Sequence, residues 1–117
     1  MSDWHEVATL GALEREGRAV VRVGGREIGV VRDPATGALH AVRNRCPHSG
    51  APLCLGLVVD RAVGRPGAYE RSGRPVLRCP WHGWEYDLET GICVDDTALR
   101  AAVYPVRVEN GRVLVRA

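Results

Sequence analysis

Short runs of alternating apolar and polar residues, separated by Gly- and Pro-containing breaks, make up most of the chain. Such runs predict half-buried strands. Glu6-Val7-Ala8 reads as a short opening strand, and Leu10 to Glu16 as a turn or single helical turn. Arg18 to Val23 and Arg26 to Arg32 flank Gly24-Gly25 and predict a hairpin. Asp33-Pro34-Ala35-Thr36-Gly37 is a turn, because Pro presets φ and Gly permits positive φ. Leu39 to Val42 is the next strand. Ala102 to Glu109 and Arg112 to Arg116 flank Asn110-Gly111, the strongest short hairpin signal in the chain. These antiparallel signals imply a meander or small barrel rather than βαβ units.

Composition sharpens this picture. Valine (17) outnumbers leucine (10) and isoleucine (2), with 14 glycines and 7 prolines. β-branched residues with many turn formers point to an all-β fold. At 117 residues the chain has the size of a single domain, expected over residues 1–117. All 16 basic residues are arginine, yet 14 acids leave a net charge of only +2, so no nucleic-acid partner is expected. No apolar run approaches the ~20 residues that span a bilayer. The first residues, Met1 to Glu6, lack the basic and apolar regions of a signal peptide. A cytoplasmic protein without membrane contact is the expectation, and its cysteines are expected to be ligands rather than disulfides.

The stretch from Asp60 to Pro75 stands apart. It is polar, carries three Gly and two Pro, and predicts an extended exposed loop. On either side of it lie two segments of one design. Cys46-Pro47-His48-Ser49-Gly50-Ala51-Pro52-Leu53 and Cys79-Pro80-Trp81-His82-Gly83-Trp84 each offer one thiolate and one imidazole in a loop stiffened by Pro and loosened by Gly. The donor set Cys46, His48, Cys79 and His82 admits two readings. One zinc ion accepts two Cys and two His in a tetrahedron, although these jaws are tighter than the usual Cys-x2-4-Cys. A [2Fe–2S] cluster accepts two Cys on one iron and two His on the other.

The two segments together, with the second running on through Tyr86-Asp87 to Thr90-Gly91, resemble the Rieske iron–sulfur family. The likeness is strongest to the soluble Rieske ferredoxins and Rieske domains of ring-hydroxylating oxygenase systems. It covers nearly the whole chain. It implies a stack of small antiparallel sheets with one [2Fe–2S] cluster held between two loops. It further implies that Cys46 and Cys79 bind the buried iron and His48 and His82 the outer one. Backbone N–H groups of Ser49, Gly50, Gly83 and Trp84 are implied as donors to the sulfides, and Tyr86 keeps the place of a tyrosine common in the family.

Several positions depart from the Rieske proteins of quinol-oxidising complexes. Their loop-joining disulfide would fall at Ala51 and Trp81, so it is absent. Their serine that bonds a sulfide falls at Trp84. Fewer donors imply a potential near the bottom of the family range of about −150 to +300 mV. Relative to the ferredoxins, the gap between the two segments is longer, through residues 60–75, and Val94 to Ala98 lacks the usual Pro. Cys54 and Cys93 have no ligand role in the pattern and read as small half-buried side chains, with a disulfide or redox-sensing pair as the alternative. Trp4, Trp84 and Tyr104 read as packing residues. Trp81 reads as exposed at the rim of the site, where it would be an interface anchor.

The resemblance implies a one-electron carrier rather than an enzyme. It would take electrons from a flavin-dependent reductase and pass them to a terminal oxygenase. Only His5 and His40 remain outside the four candidate ligands, too few and too far apart for a mononuclear catalytic iron. No dinucleotide fingerprint is present. Protonation of His48 and His82 is expected to couple to reduction, so that the potential falls as pH rises. The alternatives are a small subunit or accessory module of another redox enzyme, such as nitrite reductase, and a zinc-stabilised binding module.

Overall fold

A computed structural model describes residues 3–68 and 70–117. Its strands are β1 (Trp4–Thr9), β2 (Arg18–Val23), β3 (Arg26–Arg32), β4 (Leu39–Arg43), β5 (Leu57–Val63), β6 (Glu70–Arg78), β7 (Glu85–Asp87), β8 (Val103–Tyr104), β9 (Val106–Glu109) and β10 (Arg112–Arg116). They form three small sheets, ordered β1-β10-β9, β2-β3-β4-β8 and β5-β6-β7. Every named pairing is antiparallel. The expected all-β stack of small antiparallel sheets is the observed architecture.

The middle sheet explains the fold. Ile28, Val30 and Ala41 belong to a core shared with Val113, Val115 and Leu13. Val31 and Val42, from the same two strands, belong to a second core with Leu53, Leu77, Tyr86 and all four cysteines. Successive side chains of a strand point to opposite faces. β3 and β4 are therefore buried on both sides, which is why Ile28 to Val31 shows no apolar–polar alternation. Gly29 lies within this run because a Cβ there would overlap the Cys54 sulfur.

Both predicted two-residue hairpins form. Gly24-Gly25 (φ 56° and 82°) and Asn110-Gly111 (φ 50° and 74°) have the two positive φ values that match strand twist. The segment Leu10–Glu16 is a seven-residue helix, α1. The Thr9 hydroxyl accepts from the Ala12 N–H, and the N–H of Gly17, at φ 80°, donates to the Leu13 carbonyl. Leu13 is its buried anchor.

Two expectations need correction. The stretch 60–75 is not a loop, because most of it is the outer part of a β5–β6 hairpin. Leu57 pairs with Arg78 and Asp60 with Pro75. The register then shifts, and Val63 pairs with Glu70. The Asp60 carboxylate knits that irregularity by accepting from the Ser72 hydroxyl (3.1 Å) and the Gly73 N–H (3.0 Å). Most of this outer part is solvent-exposed, so no apolar period marks it. Tyr69, within that stretch, lies outside the described residues. Second, Ala102 to Glu109 is not one strand. The chain leaves the middle sheet after Tyr104, which pairs with Ala41, and joins the first sheet at Val106, which pairs with Val115. Pro105 lies at the switch, where its missing N–H costs no ladder bond.

His40 lies on β4, and its Nε2 is buried without a hydrogen-bond partner. Burial lowers its pKa below the ordinary value of 6.5, against the opposing pull of Asp33, Glu89 and Asp87. A depressed folded-state value means that the unfolded chain binds the extra proton first. The associated stability is complete above about pH 6.5 and is lost as pH falls below it. Denaturant unfolding of the wild type should therefore lose more stability between about pH 7.5 and 5.5 than unfolding of His40→Leu. Equal losses in the two proteins would show that His40 does not titrate in this way.

Candidate metal centre

Two loops carry the four predicted site residues, and the fold brings these loops together. Loop one runs from the end of β4 to the short 3-10 turn Leu53–Leu55. Loop two joins β6 to β7. Each closes by the same pair of backbone bonds. In loop one the Cys46 N–H donates to the Ala51 carbonyl (2.8 Å) and the Gly50 N–H to the Cys46 carbonyl (2.8 Å). In loop two the Cys79 N–H donates to the Trp84 carbonyl (2.7 Å) and the Gly83 N–H to the Cys79 carbonyl (3.0 Å). Gly50 and Gly83 sit at φ 77° and 74°, which only glycine adopts without strain. The sequence equivalence of the two segments is thus an equivalence of backbone.

The roots of the loops are fixed to each other. Asn44 accepts from the Cys54 N–H through Oδ1 (2.8 Å) and donates to Glu27 through Nδ2 (3.1 Å), closing the base of loop one. Gly56, just past the 3-10 turn, packs on the strand that enters loop two, and a Cβ there would overlap the Arg78 carbonyl. Asn44 and Gly56 were not marked by the sequence reading. Both act through the backbone of distant segments, and no local pattern announces them.

Side chains cross between the loops. The Tyr86 hydroxyl, just beyond loop two, lies 3.1 Å from the Cys46 sulfur in loop one. The Ser49 hydroxyl, in loop one, lies 3.5 Å from the Cys79 sulfur in loop two. The His48 and His82 rings lie edge to face with centroids 5.3 Å apart. Trp84 stacks on His48 with centroids 3.7 Å apart and planes 7° apart. Cys46 and Cys79 are buried, while His48 and His82 are exposed. Trp84 therefore does more than pack, since its indole fixes one face of a site imidazole. Trp81 is 60% exposed, as expected.

The electrostatics favour thiolate in this position. Burial opposes ionisation of Cys46, but hydrogen bonds from the Ser49 and Tyr86 side chains and from the backbone N–H groups of Ser49 and His48 outweigh it. The Cys46 thiol is pulled down to about 7. The Tyr86 hydroxyl is pushed well above its usual range by burial and by its bond to Cys46. Tyr86 is thus the donor and the sulfur the acceptor. The N–H groups of Gly50 and Gly83, implied as sulfide donors, are instead bonded to the Cys46 and Cys79 carbonyls.

Other cysteines lie outside this arrangement. Cys54 and Cys93 are buried and free. Burial pushes the Cys54 thiol up to about 12, and its sulfur faces the Val42 carbonyl at 3.7 Å. Such a thiol has little thiolate at neutral pH, so a redox-sensing role lacks its nucleophile. Val94 to Ala98 forms a turn tied to β7 through Glu85, whose N–H donates to Asp95 (2.8 Å).

A family model for the Rieske-like [2Fe-2S] domain matches residues 3–116. The chain belongs to this family. Oxidoreductase NdmD of Pseudomonas putida is 30% identical over 95% of the chain, which corresponds to 18% of NdmD. The chain spans less than a fifth of the first curated relatives it matches. A Mycobacterium tuberculosis protein described as an NADH-dependent nitrite reductase small subunit superposes with a TM-score of 0.82 at 28% identity, covering 100% of this chain and 96% of that one. The ferredoxin of carbazole 1,9a-dioxygenase from Nocardioides aromaticivorans IC177 gives 0.71 at 28% identity, with 97% of both chains covered.

The cofactor of a Rieske-like domain is a Rieske-type [2Fe–2S] cluster. The residues present fit it. Two buried sulfurs sit inside hydrogen-bond donors, and two exposed imidazoles face each other on the outside. Among the described residues no three His, Cys, Asp or Glu side chains gather as one metal ion would require. A division into two pairs does not require such a group.

Removing the Tyr86 hydroxyl takes one donor from a charged sulfur. Tyr86→Phe should lower the midpoint potential by roughly 40 mV, equivalent to about 1 kcal/mol in a one-electron couple. Protein-film voltammetry reads this directly. An unchanged potential with an intact visible spectrum would reduce Tyr86 to a core-filling ring.

Proposed function

We propose that Cys46 and Cys79 ligate one iron of a [2Fe–2S] cluster, that His48 and His82 ligate the other, and that the chain is a one-electron carrier. It takes electrons from a flavin-dependent reductase and delivers them to a terminal oxygenase of the ring-hydroxylating type. The observation that carries the reading is the segregation within each loop, with the thiol buried and the imidazole exposed. When bound, the cluster supplies a reversible one-electron couple.

The chain's own residues do the rest. Burial of Cys46 and Cys79 keeps water from the sulfurs. The donors Tyr86 and Ser49 compensate negative charge there without a full positive charge nearby. His48 and His82 present their outer edges to solvent, where a partner surface can reach them. Trp84 holds His48 by stacking, which limits reorganisation of that ring as charge changes. Among the described residues no helix is long and apolar enough to cross a membrane.

A second reading is favoured by one specific finding. The nitrite reductase small-subunit structure gives the higher TM-score of the two described above, 0.82 against 0.71. The chain would then be the electron-transfer subunit of a larger oxidoreductase. Stable copurification with a large catalytic chain supports this reading, and rapid turnover with a separate reductase and oxygenase supports the carrier.

Anaerobically purified protein should contain two irons and two sulfides per chain and show a rhombic EPR signal only after reduction. Cys79→Ser should abolish the visible absorption of the cluster, whereas Cys54→Ser should leave it intact. A colourless protein carrying one zinc, with no cluster after anaerobic reconstitution, would overturn both redox readings.

The hydrogen bonds and close contacts at the loop roots generate a further expectation. Gly56→Ala forces the 3-10 turn away from the Arg78 carbonyl and should lower stability by at least ~2 kcal/mol. It should also lower the iron content at purification. Gly67→Ala, at the far end of the β5–β6 hairpin, strains the backbone at φ 84° but meets no neighbouring atom, and should leave the iron content unchanged. Equal iron content in the two variants would show that the root contact does not position the loops.

A further inference from the structure

We propose that the arginine-lined face beside loop one is the docking surface for an acidic patch on a redox partner protein. The inference rests on the electron-carrier reading and adds to it which face docks and with which charge. Two grooves adjoin there and share Arg43 and Arg45. One, of about 200 Å³, is lined by Arg22, Arg26, Glu27 and Gly50 in addition to that pair. The other, of about 240 Å³, adds Pro47 and Arg100. Five arginines therefore face one glutamate on a chain whose whole net charge is +2, and the remainder of the chain is net negative.

Four of these five cations have no carboxylate partner among the described residues. The Glu27 carboxylate is taken by Arg22 (3.3 Å) and by the Asn44 side chain (3.1 Å). Among the described residues Arg26, Arg43, Arg45 and Arg100 form no ion pair. Elsewhere Arg74, Arg78, Arg107 and Arg112 each meet a carboxylate, whereas Arg15, Arg18, Arg32, Arg61, Arg65 and Arg116 stand outside both grooves without an ion pair among the described residues. Four arginines without an ion pair thus share one face. That face is also the one reaching Pro47 and Gly50, the residues that flank exposed His48.

Guanidinium forks match carboxylates in pairs, and a concave cationic strip raises the encounter rate with an acidic surface. A folded partner with a bounded acidic patch fits this distribution. A long polyanion such as duplex DNA would also meet the negative remainder of the chain. Seated on the strip, a partner covers the edge of His48, where the electron leaves.

The test uses the reduced holoprotein and two protein probes in stopped flow. Cytochrome b5 is acidic at its haem edge and cytochrome c is basic. One electron passes from the reduced protein to the ferric haem of either. The rate to cytochrome b5 should fall about 10-fold from low to high salt, and the rate to cytochrome c should not fall. Arg43→Glu with Arg45→Glu should lower the low-salt rate to cytochrome b5 about 10-fold and raise that to cytochrome c. The milder Arg43→Gln with Arg45→Gln should show the same trend and covers the case in which the charge reversal fails to fold. Arg15→Glu, on α1 at the other end of β2, should change neither rate appreciably.

A rate to cytochrome b5 that ignores both salt and the Arg43 and Arg45 substitutions, in protein with an intact cluster spectrum, would overturn the docking surface and leave the carrier reading standing. Protein without a cluster spectrum before mixing would remove the carrier reading itself and, with it, this inference. Binding of a short DNA duplex at Arg43 and Arg45 that displaces cytochrome b5 at physiological salt would make the face a general polyanion site and would also overturn the proposal.

Discussion

Two sulfur atoms must be sheltered while two imidazoles, two and three residues further along their loops, must reach solvent. The rest of the molecule follows from this demand. A loop meets it only by turning sharply within a few residues, and both loops do so with the same closure. The cysteine N–H is bonded five residues ahead, and its carbonyl accepts from a glycine N–H four residues ahead. With its backbone groups satisfied in this way, the cysteine can sit at the edge of the core without orphaned donors. The histidine then lies on the outer arc of the turn.

A turn of this kind holds its place only if its ends are held. The middle sheet supplies that, because β3 and β4 contribute to two cores at once. The core that contains Cys46 and Cys79 is walled on one side by Val31 and Val42 and on the other by Leu77 and Tyr86. Tyr86 is both a fully buried ring of this core and the donor to Cys46, so packing and electrostatics meet in one residue. A shift of the third sheet against the second would move this donor away from its sulfur.

The candidate site was more legible in the sequence than the fold around it. The four candidate ligands and their glycines lie in two compact segments, so local spacing was enough to find them. The Gly24-Gly25 and Asn110-Gly111 hairpins were equally legible, because turn chemistry is local. The β5–β6 hairpin was not, since its outer residues face solvent and its Pro75 and Gly73 suggest irregular chain. The split at Pro105 was hidden by an apolar run that continues through it, each half facing a different sheet. Asn44, Gly56 and the stacking of Trp84 on His48 depend on segments remote in sequence. Only the assembled chain shows them.

The β5–β6 hairpin grows outward from the pairing of Leu57 with Arg78, next to the loop roots. Its length is thereby decoupled from the site. Adding or deleting two residues on each arm preserves both the pairing and which side chains share a face, whereas a single-residue change on one arm breaks the register unless a bulge absorbs it. The register shift between Asp60 and Ala62 is such an absorber. The hairpin is therefore an appendage that evolution, or an engineer attaching a tether or label, can lengthen or trim without retuning the electrochemistry at its base.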